Sequence, residues 1–210
     1  MMNLKVCGLM NTNQIQELIS MNVDFLGFIF YEKSPRYVLN HLSLKEIAEI
    51  LHYKKVGVFV NESIRGIAEI ASEAQLDVIQ LHGNEDDNFI FQLRQIIGEN
   101  IEIIKVIRIG NKTYEELQKT INHQPSTINY LLFDTDSSVF GGTGKAFDWQ
   151  ILNDLEITKP YFLSGGISLE NISQLSTVNC QPFALDINSK FEIEPGLKDL
   201  EKIKQLYEKL

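Results

Sequence analysis

Cysteine, tryptophan and positive charge are scarce in this chain. Two cysteines occur in 210 residues, Cys7 and Cys180, with one tryptophan and five prolines. Two cysteines cannot build a disulfide framework, so stability has to come from a hydrophobic core, and a reducing cytoplasmic compartment is expected. Nineteen Lys and Arg face 28 Asp and Glu, a net charge of −9. That balance excludes sequence-independent nucleic-acid binding, which needs a basic face. It also means that an anionic ligand must be held by a local site and not by the overall field. No Cys/His cluster exists, so no metal is expected. Charged or polar residues interrupt every apolar run before it could span a membrane. The opening Met-Met-Asn-Leu-Lys-Val-Cys lacks the apolar segment of a signal peptide. A soluble domain without membrane partners is expected.

What the chain does have is apolar, β-branched runs at regular intervals. Eight begin near Asn3, Asp24, Lys55, Asp77, Ile103, Asn129, Pro160 and Pro182. Their mean spacing, about 26 residues, is close to the length of a βαβ unit. Several are continuously apolar, as suits strands buried on both faces of a parallel sheet. Helical patterns lie between them. Ser43–Glu46 and Thr113–Glu116 have capping-box spacing, and Ser63 precedes Ile64, Ile67 and Ile70. Glu85-Asp86-Asp87 opens a segment that Gly98 closes; Ser168 precedes Leu169, Ile172 and Leu175; a last pattern runs from Leu197. The segment after Asp148 is short, so that crossover is expected to be abbreviated. An open doubly wound sheet is the alternative. Even spacing, a count of eight and the absence of an early Gly-x-Gly-x-x-Gly favour an α/β fold of one domain, a (β/α)8 TIM barrel over residues 1–210.

In such barrels the active site lies at the C-terminal ends of the strands. Cys7-Gly8, Ser34-Pro35-Arg36, Asn61, His82-Gly83, Arg108, Asp134, Ser164-Gly165-Gly166 and Asp186 to Ser189 stand there. Cys7 reads either as a small buried hydrophobe or as a thiolate whose pKa a strand end can lower. Asp134 closes an apolar run and is either a capping carboxylate or a partly buried general acid–base group. Asp136 and Asp148 read as solvated or local capping residues, and Cys180 as structural. Arg36, behind Pro35, either pairs with a surface acid or grips a substrate carboxylate bidentately. His82 reads first as a hydrogen-bonded core histidine. Gly141-Gly142-Thr143-Gly144 after the sixth strand lets backbone N–H groups approach an anion. Gly165-Gly166, capped nearby by Ser168, and Asn188-Ser189 occupy the loops after strands seven and eight, where such barrels hold phosphate.

Taken in order, these motifs resemble the phosphoribosylanthranilate isomerase family of tryptophan biosynthesis. The resemblance rests on Lys5-Val6-Cys7-Gly8, Gly27-Phe28-Ile29-Phe30, Lys33-Ser34-Pro35-Arg36, Val56 to Asn61 and Gln80-Leu81-His82-Gly83. It continues through Asp134 with Gly141 to Gly144, Ser164-Gly165-Gly166 and Pro195 to Asp199. It implies a cofactor-free Amadori rearrangement of a small phosphosugar, by a monomer or homodimer. Asp134 would be the general acid and Cys7 the general base. Arg36 would hold the anthranilate carboxylate, and Gly142, Gly144, Gly165, Gly166 and Ser189 would hold phosphate, with His82 and Asp186 lining the pocket. Met10, Ala184 and Asn188-Ser189-Lys190 depart from the family pattern, which weakens the expected strand-eight phosphate contacts unless Lys190 compensates. A related isomerase of histidine biosynthesis is disfavoured, because that family uses two aspartates and Cys7 stands in the base position. A non-catalytic phosphosugar-binding barrel is disfavoured because binding alone needs neither Cys7 nor Asp134.

Overall fold

The computed structural model describes residues 2–52, 54–135 and 147–210. Eight parallel strands close into a barrel in chain order: β1 (Asn3–Val6), β2 (Phe25–Ile29), β3 (Lys55–Phe59), β4 (Val78–Leu81), β5 (Glu102–Arg108), β6 (Tyr130–Asp134), β7 (Tyr161–Leu163) and β8 (Ala184–Ile187). β1 pairs with β8 in the register Lys5 to Asp186, which completes the ring. Strand alternation sorts the side chains. Phe25, Val56, Val78, Ile104, Val106, Leu132, Phe162 and Ala184 fill the barrel interior. Leu4, Val6, Phe28, Leu81, Ile103, Phe133 and Leu163 belong to the outer core, under the helices. Both faces exclude water, which is why the runs read as continuously apolar. Phe162 meets Phe25, Tyr130 and Phe183 edge-on, with ring centroids 5.1, 5.4 and 5.7 Å apart. The same alternation carries Cys7, two residues beyond Lys5, and Gln80, Arg108, Asp134 and Asp186, each two residues beyond an interior apolar residue, toward the C-terminal mouth.

Helices form after the capping signals, with two differences: no signal marks the first helix, and the last starts at Leu200 and not at Leu197, because Leu197–Lys198 is extended. α1 (Thr12–Ser20) is capped by Asn11, α2 (Leu44–Ala48) by the Ser43–Glu46 box and α3 (Ile64–Glu73) by Ser63. α4 (Asp87–Ile97) is capped by Asp86, α5 (Tyr114–Asn122) by the Thr113–Glu116 box and α6 (Leu200–Tyr207) by Asp199. Each cap satisfies backbone N–H groups that the first turn leaves without partners. Lys55, buried, donates to the carbonyls of Ile47, Ala48 and Ala74 at 3.2 Å each and so ties together the C-terminal ends of α2 and α3.

Three features differ from expectation. The crossover after β7 is not an α-helix capped by Ser168 but a 3-10 stretch, Ile172–Thr177. The Ser168 N–H donates to Asn171 Oδ1 at 2.8 Å, and Asn171 Nδ2 donates to the Gly166 carbonyl at 2.9 Å. This local turn occupies backbone groups that a first helical turn would otherwise use. The abbreviated crossover after β6 is likewise 3-10, Trp149–Asn153, with Asp148 capping it as expected. Glu85 does not open α4. It is buried and accepts from Asn61 N, Gly83 N and Lys105 Nζ at 2.9, 3.1 and 2.8 Å. Finally, a hairpin precedes α6, in which β9 (Glu192–Glu194) pairs antiparallel with β10 (Leu197–Lys198). Met10 packs against its turn: a Cβ added to Gly196 would meet Met10 Sδ at 3.1 Å.

Phe162 is fully buried and central to the interior layer. Phe162→Ala is expected to destabilise the barrel by about 3–5 kcal/mol through lost burial and a residual cavity. Urea unfolding checks this: the midpoint should fall without a change in slope.

Candidate active site

Lys5 forms the floor of the mouth. Its ammonium is fully buried and donates to Asp186 Oδ1 at 2.7 Å, while Ser164 Oγ donates to Asp186 Oδ2 at 3.1 Å. A lysine buried in a β-barrel is tolerated only when it is paired and hydrogen-bonded. Burial alone would pull the Lys5 pKa down, but the Asp186 carboxylate, with the Cys7 sulfur beside it, outweighs it and the value is raised. Cys7 follows directly after β1, with its N–H bonded to the Ile187 carbonyl at 2.9 Å. Its thiol pKa is not lowered, as the strand-end position suggested. Burial pushes it up, with the Asp186 charge adding, against the pull of the Lys5 and Lys198 ammoniums. Desolvation of the thiolate wins because Cys7 is buried.

Across the mouth, Asp134 ends β6. Its Oδ1 accepts from Thr135 N at 2.8 Å, and its Oδ2 lies 3.6 Å from His82 Nε2. Burial, then the nearby Asp186 charge, push its pKa up to about 6, against Thr135 N–H, Arg108 and Lys5. The carboxyl can therefore hold a proton close to neutrality. His82 is held down to about 3 by burial, then by the charges of Arg108, Lys5 and Lys105, so its imidazole is neutral. Gln80 Nε2 approaches His82 Nδ1 at 3.0 Å. With Gln80 donating there, the single imidazole proton sits on Nε2, facing Asp134; this tautomer is assigned from the hydrogen bond. His82 is thus both a bonded histidine, as first read, and a neighbour of the acid. Gly165, at φ +81°, closes over the same carboxylate: a Cβ there would lie 2.9 Å from Asp134 Oδ1 and 2.8 Å from Thr135 N. Arg108 donates to the carbonyl of His82, just past the end of the neighbouring strand β4.

Arg36 does pair with an acid, but a buried one. Its Nε donates to both oxygens of Glu192 at 2.9 and 3.0 Å, and its Nη2 donates to Oε2 at 2.6 Å. Lys198 Nζ donates to Glu192 Oε1 at 2.6 Å and to Asn188 Oδ1 at 2.8 Å. Gly8, at φ +74°, lets the Arg36 stem pass: a Cβ would lie 2.7 Å from its Cδ. Gly166 follows Gly165 at φ +71°, and Ser189 opens the 3-10 turn Ser189–Phe191 after β8. Lys190 is exposed. Gly142 and Gly144, like Asp136, lie outside the described residues. Cys180 is exposed, and its carbonyl accepts from the Tyr161 hydroxyl. Among the described residues, no three His, Cys, Asp or Glu side chains are grouped to hold a metal ion.

Sequence reading gave no role to Lys5, Gln80, Glu192 or Lys198. For Lys5 a signal existed, namely a lysine inside an apolar run at the same parity as Cys7. Lys198 stood in the Pro195 to Asp199 motif without a role, and for Glu192 no signal existed, because only the hairpin brings the two to Arg36.

A closed eight-stranded barrel with an acid, a thiol and an arginine around its C-terminal mouth defines a (β/α)8-barrel enzyme architecture for a small anionic ligand. Residues 4–209 match the family model described as N-(5'-phosphoribosyl)anthranilate (PRA) isomerase. The N-(5'-phosphoribosyl)anthranilate isomerase of Parabacteroides distasonis is 40% identical, over all of this chain and 93% of that protein. The Nostoc punctiforme enzyme of the same name is 38% identical, over all of this chain and 98% of its own length. In three dimensions, phosphoribosyl anthranilate isomerase from Thermotoga maritima superposes with a TM-score of 0.78 at 32% identity, covering 99% of this chain and 98% of that one. The chain belongs to the N-(5'-phosphoribosyl)anthranilate isomerase family.

The raised Asp134 pKa has a thermodynamic consequence. A carboxyl whose folded pKa lies above its unfolded value costs no stability below about pH 4. The cost grows between about pH 4 and 6 and is constant above that. A change from 3.8 to about 6 corresponds to an upper limit of about 3 kcal/mol. Asp134→Asn is therefore expected to be more stable than the parent above pH 7, the gain shrinking to nothing near pH 4. Denaturant titrations across that range check it; a gain that did not change with pH would contradict the assignment.

Proposed function

We propose that this chain isomerises N-(5'-phosphoribosyl)anthranilate to 1-(2-carboxyphenylamino)-1-deoxyribulose 5-phosphate, with Asp134 as general acid and Cys7 as general base. The observation that carries this is a protonatable carboxyl on β6 and a thiol after β1, at different positions around one mouth, in a chain of this family. The reaction needs such a pair. Asp134, half-protonated at about pH 6, donates to the furanose ring oxygen, and the C1–O bond opens to a Schiff base. Cys7, as thiolate, takes the proton from sugar C2, and the resulting enolamine tautomerises to the ketone. An acid with a pKa near the working pH combines a useful protonated fraction with a real driving force for transfer. The Lys5 and Lys198 charges favour the thiolate form of Cys7 against its burial, which is the form that can act as base.

Arg36 would take the anthranilate carboxylate. The Gly165 and Gly166 N–H groups and the Ser189 hydroxyl would take phosphate together with Gly142 and Gly144. His82 and Asp186 would act on the acid from either side, His82 as a neutral neighbour and Asp186 as the charge that keeps the proton on Asp134. A related structure was solved in complex with reduced 1-(o-carboxyphenylamino)-1-deoxyribulose 5-phosphate; it is 31% identical, with a TM-score of 0.74. We place the protein in the cytoplasm, as a monomer or homodimer without nucleic-acid partners. A dimeric relative from Thermotoga maritima supports the second state.

Cys7→Ala and Asp134→Asn are each expected to lower kcat by about 10²–10⁴-fold while circular dichroism stays native. The assay follows loss of phosphoribosylanthranilate fluorescence, and near-parental turnover in either variant would sink the assigned roles. Arg36→Met is expected to raise KM by at least about tenfold, since a charge-assisted bidentate contact is lost; an unchanged KM would remove Arg36 from the substrate.

A further inference from the structure

The Arg36–Glu192–Lys198 cluster carries an inference beyond Arg36 as carboxylate partner, and it rests on the functional reading above. Arginine offers five N–H donors in a planar fork. Glu192 occupies the side formed by Nε and Nη2. The second Nη2 donor and both Nη1 donors make no hydrogen bond among the described residues, so one edge of the fork, Nη1 with Nη2, is left for another carboxylate. Charge counting agrees. Two cations and one carboxylate give a buried cluster of net +1, with side chains at most 9% exposed. That excess charge favours an anionic group at the free edge.

The cluster is also rigid. Glu192 Oε1 accepts from Lys198 Nζ and from Gly196 N at 3.0 Å, so the β9–β10 hairpin holds the carboxylate from its own backbone. The Arg36 and Lys198 contacts keep Glu192 ionised despite its burial. Lys198 is tied in turn to Asn188 at the end of β8. The Arg36 stem lies against Gly8, the residue directly after Cys7.

We propose that Glu192 is a positioning residue that orients Arg36, so that its free edge selects an aryl amine bearing a carboxylate. On this reading Glu192 is not a competitor that substrate must displace. Glu192→Gln would loosen the fork and weaken binding of the carboxylated substrate only.

The test compares phosphoribosylanthranilate with the phosphoribosyl adduct of aniline, which lacks the carboxylate, in the parent, Glu192→Gln, Glu192→Asp, Arg36→Met and the Glu192→Gln/Arg36→Met double variant. Glu192→Gln is expected to raise KM for phosphoribosylanthranilate about tenfold or more, with kcat within about threefold. On the aniline adduct its kcat/KM should stay within about threefold of the parent. Glu192→Asp keeps the charge on a shorter arm; it should fall between parent and Gln variant, and it carries the test if the Gln variant does not fold. The double variant should be no worse than Arg36→Met alone, since both act through one group. A fall in KM would make Glu192 a competitor, and equal losses on both substrates would make it merely structural; either overturns the proposal. Unaffected variants of an active parent overturn this inference alone, whereas a parent inactive on phosphoribosylanthranilate overturns the functional reading and this inference with it.

Discussion

The buried ion pair between Lys5 and Asp186 is the interaction on which the mouth depends. Strand register sets the two residues side by side on β1 and β8, and no water reaches the Lys5 ammonium. Each is the other's main compensation, so losing either would strand a buried charge at a cost of about 3–5 kcal/mol. The same two charges reach both reacting groups with opposite sign. Lys5 favours ionisation of Cys7 and Asp134, and Asp186 opposes it. One salt bridge at the centre thus couples the proton affinity of the acid to that of the base. Both could not be tuned independently in so small a volume.

A second buried network, Arg36 with Glu192 and Lys198, stands beside the first and differs in purpose. The Lys5–Asp186 pair is neutral and closed. The Arg36 cluster carries one excess positive charge and, among the described residues, keeps donors unused. An uncompensated buried charge is costly in the free protein, and a bound carboxylate offsets that cost. Cys7, between the two networks, feels Lys5 from one and Lys198 from the other. Asp134 shows the same trade in another form, since its raised pKa is a stability cost at neutral pH that leaves it a usable proton.

Much of the architecture was legible because it rests on local rules. Eight apolar runs became eight strands, Ser43, Ser63 and Thr113 cap helices as their spacing indicated, and Asp86 of the acidic opening caps another. Ser168 misled. The hydroxyl residue before an apolar pattern is a good cap signal, but Asn171 offered the backbone a competing turn. Glu85 misled in the same way: an acid before a helix is normally solvated at the first turn, whereas here Lys105 from β5 draws it inside. In both cases the partner that decides the outcome is chosen by the fold or by a side chain outside the motif.

The sequence alone determined which residues reach the mouth, because strand alternation is a property of the chain and puts Cys7, Asp134 and Asp186 at the same ends and on the same face. It also carried the family, through short motifs in fixed order. Tertiary structure alone decided protonation and partnership. The Cys7 thiol is pushed up and not down, since burial is the sum of everything packed around a group and no local spacing encodes it. Arg36 meets Glu192, 156 positions away, because the barrel closes and the hairpin after β8 then brings Glu192 to the loop after β2.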